Sequence, residues 1–370
     1  MNNNQRTRQR LLAHGQAYPS LQIADIFKYL FQSAFGCEHL VSSEEMAIAY
    51  IRREAALCGT SPAAESPAVE PLDGDFARVH LATLGAGLSP ETLAKLFCRS
   101  ANAGDPSPEA RLLRQEKARA DLEEKLGVAR DMIAAGELPG ELSEFDTALA
   151  TWREHGYPAI HHSETFRAAY APAYRVIARR YVGLLPLLTR LDQRLQSGAP
   201  TILAIEGGSA TGKTTLAALL AELYEANVFH IDDFFLRPEQ RTPERYAEPG
   251  GNFDRERFLM EVLRPVHAGQ VVCYRPFDCG SQQLTDPVTV SPRGLTIIEG
   301  AYSLHPDLTP YYHLTALLEI SPEEQQARIR KRNSPQFARR FFEEWIPAEE
   351  RYFAQTDIRS RCDLVIPNEA

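Results

Sequence analysis

Eight consecutive residues, Gly207-Gly208-Ser209-Ala210-Thr211-Gly212-Lys213-Thr214, carry the clearest chemistry in the chain. They satisfy a pattern in which a glycine-rich loop turns tightly between a strand and a helix and aims its backbone N–H groups at phosphate oxygens. The apolar run Ile202 to Ile205 supplies the strand, and Leu216, Leu219, Leu220 and Leu223 give the following helix an apolar face. The positive end of that helix, opening near Lys213, reinforces the cradle. Lys213 brings a mobile cation to the β- and γ-phosphate oxygens, the Thr214 hydroxyl suits Mg²⁺, and Thr215 follows as a further polar residue of the cradle. The pattern predicts ATP and Mg²⁺ as ligands.

Acidic residues follow at the ends of two further apolar runs. Val228-Phe229-His230-Ile231 leads into Asp232-Asp233-Phe234-Phe235, and Thr296-Ile297-Ile298 leads into Glu299-Gly300. In a parallel sheet the C-terminal ends of the strands border the ligand crevice, so these carboxylates should lie beside the phosphates. Asp232 is the candidate general base for an attacking hydroxyl, with a share in metal binding; Glu299 is the second metal-side carboxylate. For Asp233 a helix N-cap is the favoured reading. In the run Glu324 to Arg332, Arg328 and Arg332 stand four apart and share a helical face. There they can close over a transferring phosphoryl group, or form a solvated basic surface.

These residues together resemble the uridine kinase-like branch of the P-loop kinases, which also holds the nicotinamide riboside, pantothenate and phosphoribulose kinases. The resemblance runs from Thr201 to Pro367 and rests on the glycine-rich loop, HIDDFF (230–235), NFDRERF (252–258), YRPFD (274–278), IIEG (297–300), the arginine-rich helix and CDLVIP (362–367). It implies that Asp232 is the base, that Lys213, Arg328 and Arg332 serve catalysis, and that Asn252 and Asp254 read the acceptor. Tyr274, Phe277 and Asp278 match the family's Tyr-Asp segment, and Asp233 and Phe235 would border the same pocket. Two features depart from uridine kinases proper. No histidine follows Phe277-Asp278, where the chain reads Cys279-Gly280-Ser281, and Arg339-Arg340 stand in place of an Arg-Gly-Arg-Asp stretch. The implied activity is transfer of the γ-phosphoryl group of ATP to a hydroxyl of a small, nucleoside-like or other metabolite, with uridine disfavoured. Two other readings use the same residues: an ATP-binding regulatory switch without phosphotransfer, and a kinase of nucleotide or polynucleotide ends.

The elements that must position this chemistry change character at Gly198-Ala199-Pro200. Beyond it, β-branched runs at Thr201–Ile205, Val228–Ile231, Leu295–Ile298, Ala316–Ile320 and Leu364–Ile366 alternate with helical stretches, which predicts an α/β domain over 199–370 with a parallel sheet and helices on both faces. Residues 1–198 are expected to form a mainly α-helical domain. Leu21, Ile26, Phe27, Leu30 and Phe31 recur at helical spacing before Gly36, and Ser42-Ser43-Glu44-Glu45 opens a second helix. Ser89-Pro90 and Ser107-Pro108 start two more, the latter reaching about Gly136. The stretch 59–75 reads as a flexible loop, and a last helix is expected over Ala173 to Ser197. The aromatic residues Phe166, Tyr170, Tyr174 and Tyr181 read as packing residues. His162-Ser163 reads as the cap of the helix that follows in preference to a metal pair, and Cys37 with His39 lacks the second pair of ligands a metal site would need.

Composition sets the outer limits. The chain has 370 residues, 44% hydrophobic and 24% charged, with a net charge of −9. That length suits two cores, and the acidic balance argues against a nucleic-acid partner. Six cysteines without a CxxC pair read as reduced thiols. No leader and no membrane-length apolar run is legible, so a cytoplasmic protein acting on a small-molecule hydroxyl acceptor is expected, with homo-oligomer formation left open.

Overall fold

The computed structural model describes residues 2–37, 43–58, 68–101 and 107–368. The chain divides into two compact units, Met1–Thr189 and Arg190–Ala370. The division falls inside the helix Leu185–Gln196, upstream of the change in composition at residue 198.

In the first unit the expected helices form with the expected caps. Gly36 closes Ile23–Phe35, adopting a φ of 65°. Ser43 caps Glu44–Leu57, Ser107 caps the long helix Pro108–Ala134, and Ser163 caps Glu164–Tyr170. Ser42, offered as part of one of these caps, and His39 lie outside the described residues.

Two expectations fail here for one reason. The unit contains a three-stranded antiparallel sheet in the order β1 (Val69–Pro71), β2 (Phe76–His80) and β3 (Tyr174–Ala178). β1 falls inside the stretch expected to be a loop, whose residues 59–67 are outside the described set. β3 takes the first turn of the expected final helix, which begins only at Leu185. The left-handed Ala171, φ 42°, stops the preceding helix, and Arg175-Val176-Ile177 then pair with Val79-Arg78-Ala77. A partner nearly a hundred residues upstream decides the conformation of this short apolar run, so local spacing misleads.

The second unit is the α/β domain expected. β4 (Thr201–Glu206), β5 (Asn227–His230), β10 (Leu295–Glu299), β11 (Leu314–Glu319) and β12 (Leu364–Pro367) form one parallel sheet in the order β12-β11-β4-β10-β5. Between them, β6 (Val272–Tyr274) pairs with β9 (Val288–Val290), and β7 (Phe277–Asp278) with β8 (Gln283–Leu284), as antiparallel ribbons. Every residue of β4 is buried, as a central parallel strand requires. Ile202 and Ala204 join Ile298, Leu317, Phe258, Val262 and Tyr352 in one core cluster. Leu203 and Ile205 alternate to the opposite face and are equally buried. The helix Lys213–Tyr224 packs on β4, β5 and β10 through Leu216, Leu220 and Leu223. Among the described residues no helix is long and apolar enough to cross a membrane.

Candidate active site

Strand β4 ends in a residue that the sequence reading passed over. Glu206 is completely buried, and its carboxylate accepts hydrogen bonds from the backbone N–H groups of Gly207 (2.9 Å), Tyr302 (3.1 Å) and Leu304 (2.9 Å) and from the Tyr352 hydroxyl (3.1 Å). Burial pushes its pKa up to about 7 against the pull of those donors and of Lys213. Glu206 thereby ties the first peptide of the glycine-rich loop to the segment after β10.

The loop itself fits a phosphate cradle. Gly207 has φ 152°, and a Cβ there would lie 2.7 Å from the Leu318 carbonyl oxygen and from Thr211 Oγ1. Gly212 has φ 98° and opens the helix, and its Cβ would meet Asn368 Nδ2 at 2.5 Å. No side chain is accommodated at either position, so the backbone can approach a ligand. Thr211 Oγ1 donates to Gly208 O at 2.8 Å, and Lys213 Nζ donates to the same carbonyl at 2.9 Å. The lysine lies along the loop, its ammonium held by one carbonyl.

A second missed residue reaches the loop from the helix Ile346–Thr356. Glu349 accepts from Ser209 N at 2.8 Å and from Ser209 Oγ at 2.6 Å, and it is 5% exposed. Burial raises its pKa, and the Asp232 carboxylate adds to the rise while Lys213 and the Ser209 bonds oppose it. Tyr352, the partner of Glu206, lies three residues on and so shares that helical face. No motif announces either residue.

On the other side of the loop, Thr214 Oγ1 lies 3.1 Å from Glu299 Oε1, which also meets His230 Nδ1 at 2.6 Å. His230 ends β5 directly opposite Glu299 in register. The bond from Glu299 raises its pKa. Sequence reasoning placed Thr214 and Glu299 together but gave His230 no role, although strand register was the available signal. Asp232 follows in the turn Ile231–Phe234. Its side chain is exposed, although protein atoms crowd its surroundings. That crowding raises its pKa, with Glu299 and Asp233 acting in the same sense, against Lys213 and His230. The structure therefore brings Asp232, Lys213, Thr214, Glu299 and His230 to one end of the sheet.

The remaining candidates divide. Asp233 makes no capping bond; its carboxylate accepts from the Tyr274 hydroxyl at 3.2 Å, and Tyr274 stacks on Phe234. Phe235 forms a bridge with Phe253. Asn252 is half-buried, and its carbonyl accepts from Leu236 N. Asp254, expected to read an acceptor, is 2% exposed and is occupied in capping Arg255–Phe258 and in accepting from Gln240 Nε2 at 2.8 Å. Phe277 is buried under Arg241. Asp278 is exposed and accepts from the N–H groups of Gly280 and Ser281, shaping the β7–β8 turn. Crowding, and next the Asp232 carboxylate, raise the pKa of Cys279 in that turn.

Arg328 and Arg332, on the helix Pro322–Arg332, are placed differently. Arg328 does not face the loop's phosphate side with a free fork. Its Nε donates to Glu324 (2.6 Å), and its terminal nitrogens donate to the carbonyls of Ala210 (3.4 Å) and Asn368 (2.8 Å). It braces the helix Pro322–Arg332 against the loop and the end of β12. Arg332 is exposed, with its guanidinium 6.0 Å from the Phe341 ring centre. Two cavities of about 250 and 290 Å³ lie away from this chemistry, the larger lined by Thr201, Asn227 and Thr296 at the opposite ends of the strands.

No family model matches the chain. Among solved structures it is similar to a chain from Bacillus stearothermophilus provisionally named a uridine kinase, at 20% identity over 48% of this chain and 99% of that one, with a TM-score of 0.37. It is likewise similar to a chain from Silicibacter provisionally named a fructose transport system kinase, at 24% identity over 48% and 98%, with a TM-score of 0.39.

Proposed function

We propose that the Arg190–Ala370 unit is an ATP-dependent kinase that phosphorylates a hydroxyl group of a small metabolite. The observation that supports it most is geometric: at the loop end of the sheet Thr214 Oγ1 lies 3.1 Å from Glu299 Oε1, and Asp232 follows directly on the strand beside Glu299. A nucleotide switch has no use for an acceptor-side base in that position. A polynucleotide-end kinase would want a basic groove, and the net charge of −9 disfavours one.

In this reading the loop from Gly207 to Thr215 holds the phosphates. Thr214 and Glu299 are the oxygen donors for Mg²⁺, with Asp232 beside them; when bound, Mg²⁺ would neutralise phosphate charge. Asp232 takes the proton from the acceptor hydroxyl as its oxygen bonds to the γ-phosphorus. The bond from that phosphorus to the β-bridging oxygen breaks, and ADP leaves. Lys213 releases Gly208 O and carries the charge that develops between the β- and γ-phosphates. Asp233, with Tyr274, and the β7–β8 ribbon border the acceptor side. Arg328 keeps the loop in place, and Arg332 is the arginine free to swing toward the transferred group.

The test is ADP formation from Mg-ATP across nucleosides, vitamins and sugars, run beside Asp232→Asn. Acceptor-dependent turnover should fall about 10²–10⁴-fold in the variant while nucleotide binding is retained. Full turnover in Asp232→Asn would remove the base assignment; nucleotide binding with no acceptor-dependent turnover anywhere in the panel would favour the switch.

A further inference from the structure

The other unit contains buried chemistry that the kinase reading leaves unused. Arg78, in the middle strand β2, is 1% exposed. Arginine is almost never buried this completely unless it is paired. Here Nε donates to Gln32 Oε1 at 2.9 Å and one terminal nitrogen to Glu70 at 3.2 Å. The guanidinium lies over the rings of Tyr174 (4.5 Å) and Tyr29 (5.4 Å). Its other terminal nitrogen, Nη2, is buried with no hydrogen-bond partner among the described residues.

His14 repeats the pattern. Its Nδ1 lies 2.8 Å from Glu70 Oε1, its ring stacks on Tyr29 at 4.3 Å, and its Nε2 is buried without a partner. Burial lowers its pKa, which favours the neutral ring. The bond to Glu70 assigns the proton to Nδ1 and leaves a lone pair on Nε2. Glu70 is held down at about 2: burial works against it, but His14 and Arg78 prevail, so it is ionised and already committed. The Arg78 and His14 side chains thus meet on the same carboxylate and the same tyrosine ring. One presents an unused charged donor and the other an unused acceptor. Glu70 and His80 form a partly open rim, with side chains 18% and 29% exposed.

Buried polar atoms are rarely left unpaired, and here an unpartnered donor and an unpartnered acceptor flank one ion pair. We propose that this cluster is a second binding site, which takes a small organic oxyanion, a carboxylate or phosphate ester, on Arg78 Nη2. Guanidinium N–H groups match such oxygens in charge and plane. The lone pair of His14 accepts from a hydroxyl or amine of the same molecule, and Tyr29 and Tyr174 supply aromatic walls.

Calorimetric titration of the full chain with inorganic phosphate, benzoate and phenyl phosphate tests this, with Lys213→Ala as the background that weakens the phosphate loop. At least one probe should bind saturably in Lys213→Ala and lose tenfold or more in affinity when Arg78→Lys is added. Because Arg78→Lys is itself a core change, Gln32→Glu provides a gentler second variant. It sets a carboxylate beside the guanidinium and should also reduce anion affinity at least tenfold. Absence of binding by all three probes overturns the site. So does binding that Lys213→Ala abolishes, or binding that persists unchanged in both Arg78→Lys and Gln32→Glu.

Discussion

At the scale of single residues, Glu299 has two competing partners. His230 and Thr214 both contact its Oε1, and a metal ion would draw on the same oxygen. His230 has a raised pKa, so its charged form persists to higher pH than that of a free histidine. Below that pKa the imidazolium is ion-paired with Glu299; above it the pair is lost and the carboxylate is released to a cation. The metal requirement of turnover should therefore be weaker at alkaline than at acid pH. The stability that the pair confers runs the other way: it is full below the unfolded-state pKa and disappears as pH rises through the raised value. Titrating Mg²⁺ against ADP formation at several pH values should give a half-saturating concentration that falls as pH rises. His230→Asn should flatten that dependence, and an equally steep dependence in the variant would show that another group controls the metal.

At the scale of elements, one face of the helix Ile346–Thr356 supports the glycine-rich loop from two sides. Tyr352 reaches Glu206 beneath it and Glu349 reaches Ser209 on it. Their glutamine variants should differ. Glu206 serves three backbone N–H groups and a hydroxyl, and a glutamine there has one acceptor oxygen and directs an NH₂ group at donors. Glu206→Gln should cost about 2 kcal/mol or more in stability and weaken nucleotide binding. Glu349→Gln can still accept from Ser209 N and donate to Ser209 Oγ, so stability should hold. Removing its negative charge from beside the cradle should tighten nucleotide binding on the order of fivefold, about 1 kcal/mol. Denaturant unfolding and fluorescence titration of both variants check this; loss of nucleotide affinity in Glu349→Gln would make its carboxylate a required part of the cradle.

These elements also show what the sequence could disclose. All five strands of the parallel sheet, and the placing of Lys213, Thr214, Asp232 and Glu299 at one end of it, were legible because strand, turn and helix follow one another locally. Glu349 and Tyr352 were not, since only the fold brings a helix 140 residues downstream to Ser209. The sheet β1–β3 was hidden for the same reason: β3 reads as a helix until Phe76–His80 is placed beside it. Arg328 was legible as a helix-face arginine, but not the carbonyls that capture it.

At the scale of the whole molecule, each unit has the ingredients of an independent core. The first buries Ile26, Phe27, Leu30, Phe145 and Ile177, and the second buries Leu203, Ile205, Phe229 and Ile297. Two cores of this kind are expected to unfold in two transitions, not one. A ligand that binds only the native form of one unit stabilises that unit by RT ln(1 + [L]/Kd), about 2.7 kcal/mol at a hundredfold excess over Kd. Mg-ADP should therefore raise one calorimetric transition by several degrees and leave the other where it was, and Lys213→Ala should cancel the rise. A probe anion acting on Arg78 should move the other transition, and in Lys213→Ala as much as in the unaltered chain. A single transition that shifts as a whole with either ligand would mean that the two cores fold as one cooperative body, in which occupancy of one site is felt energetically at the other.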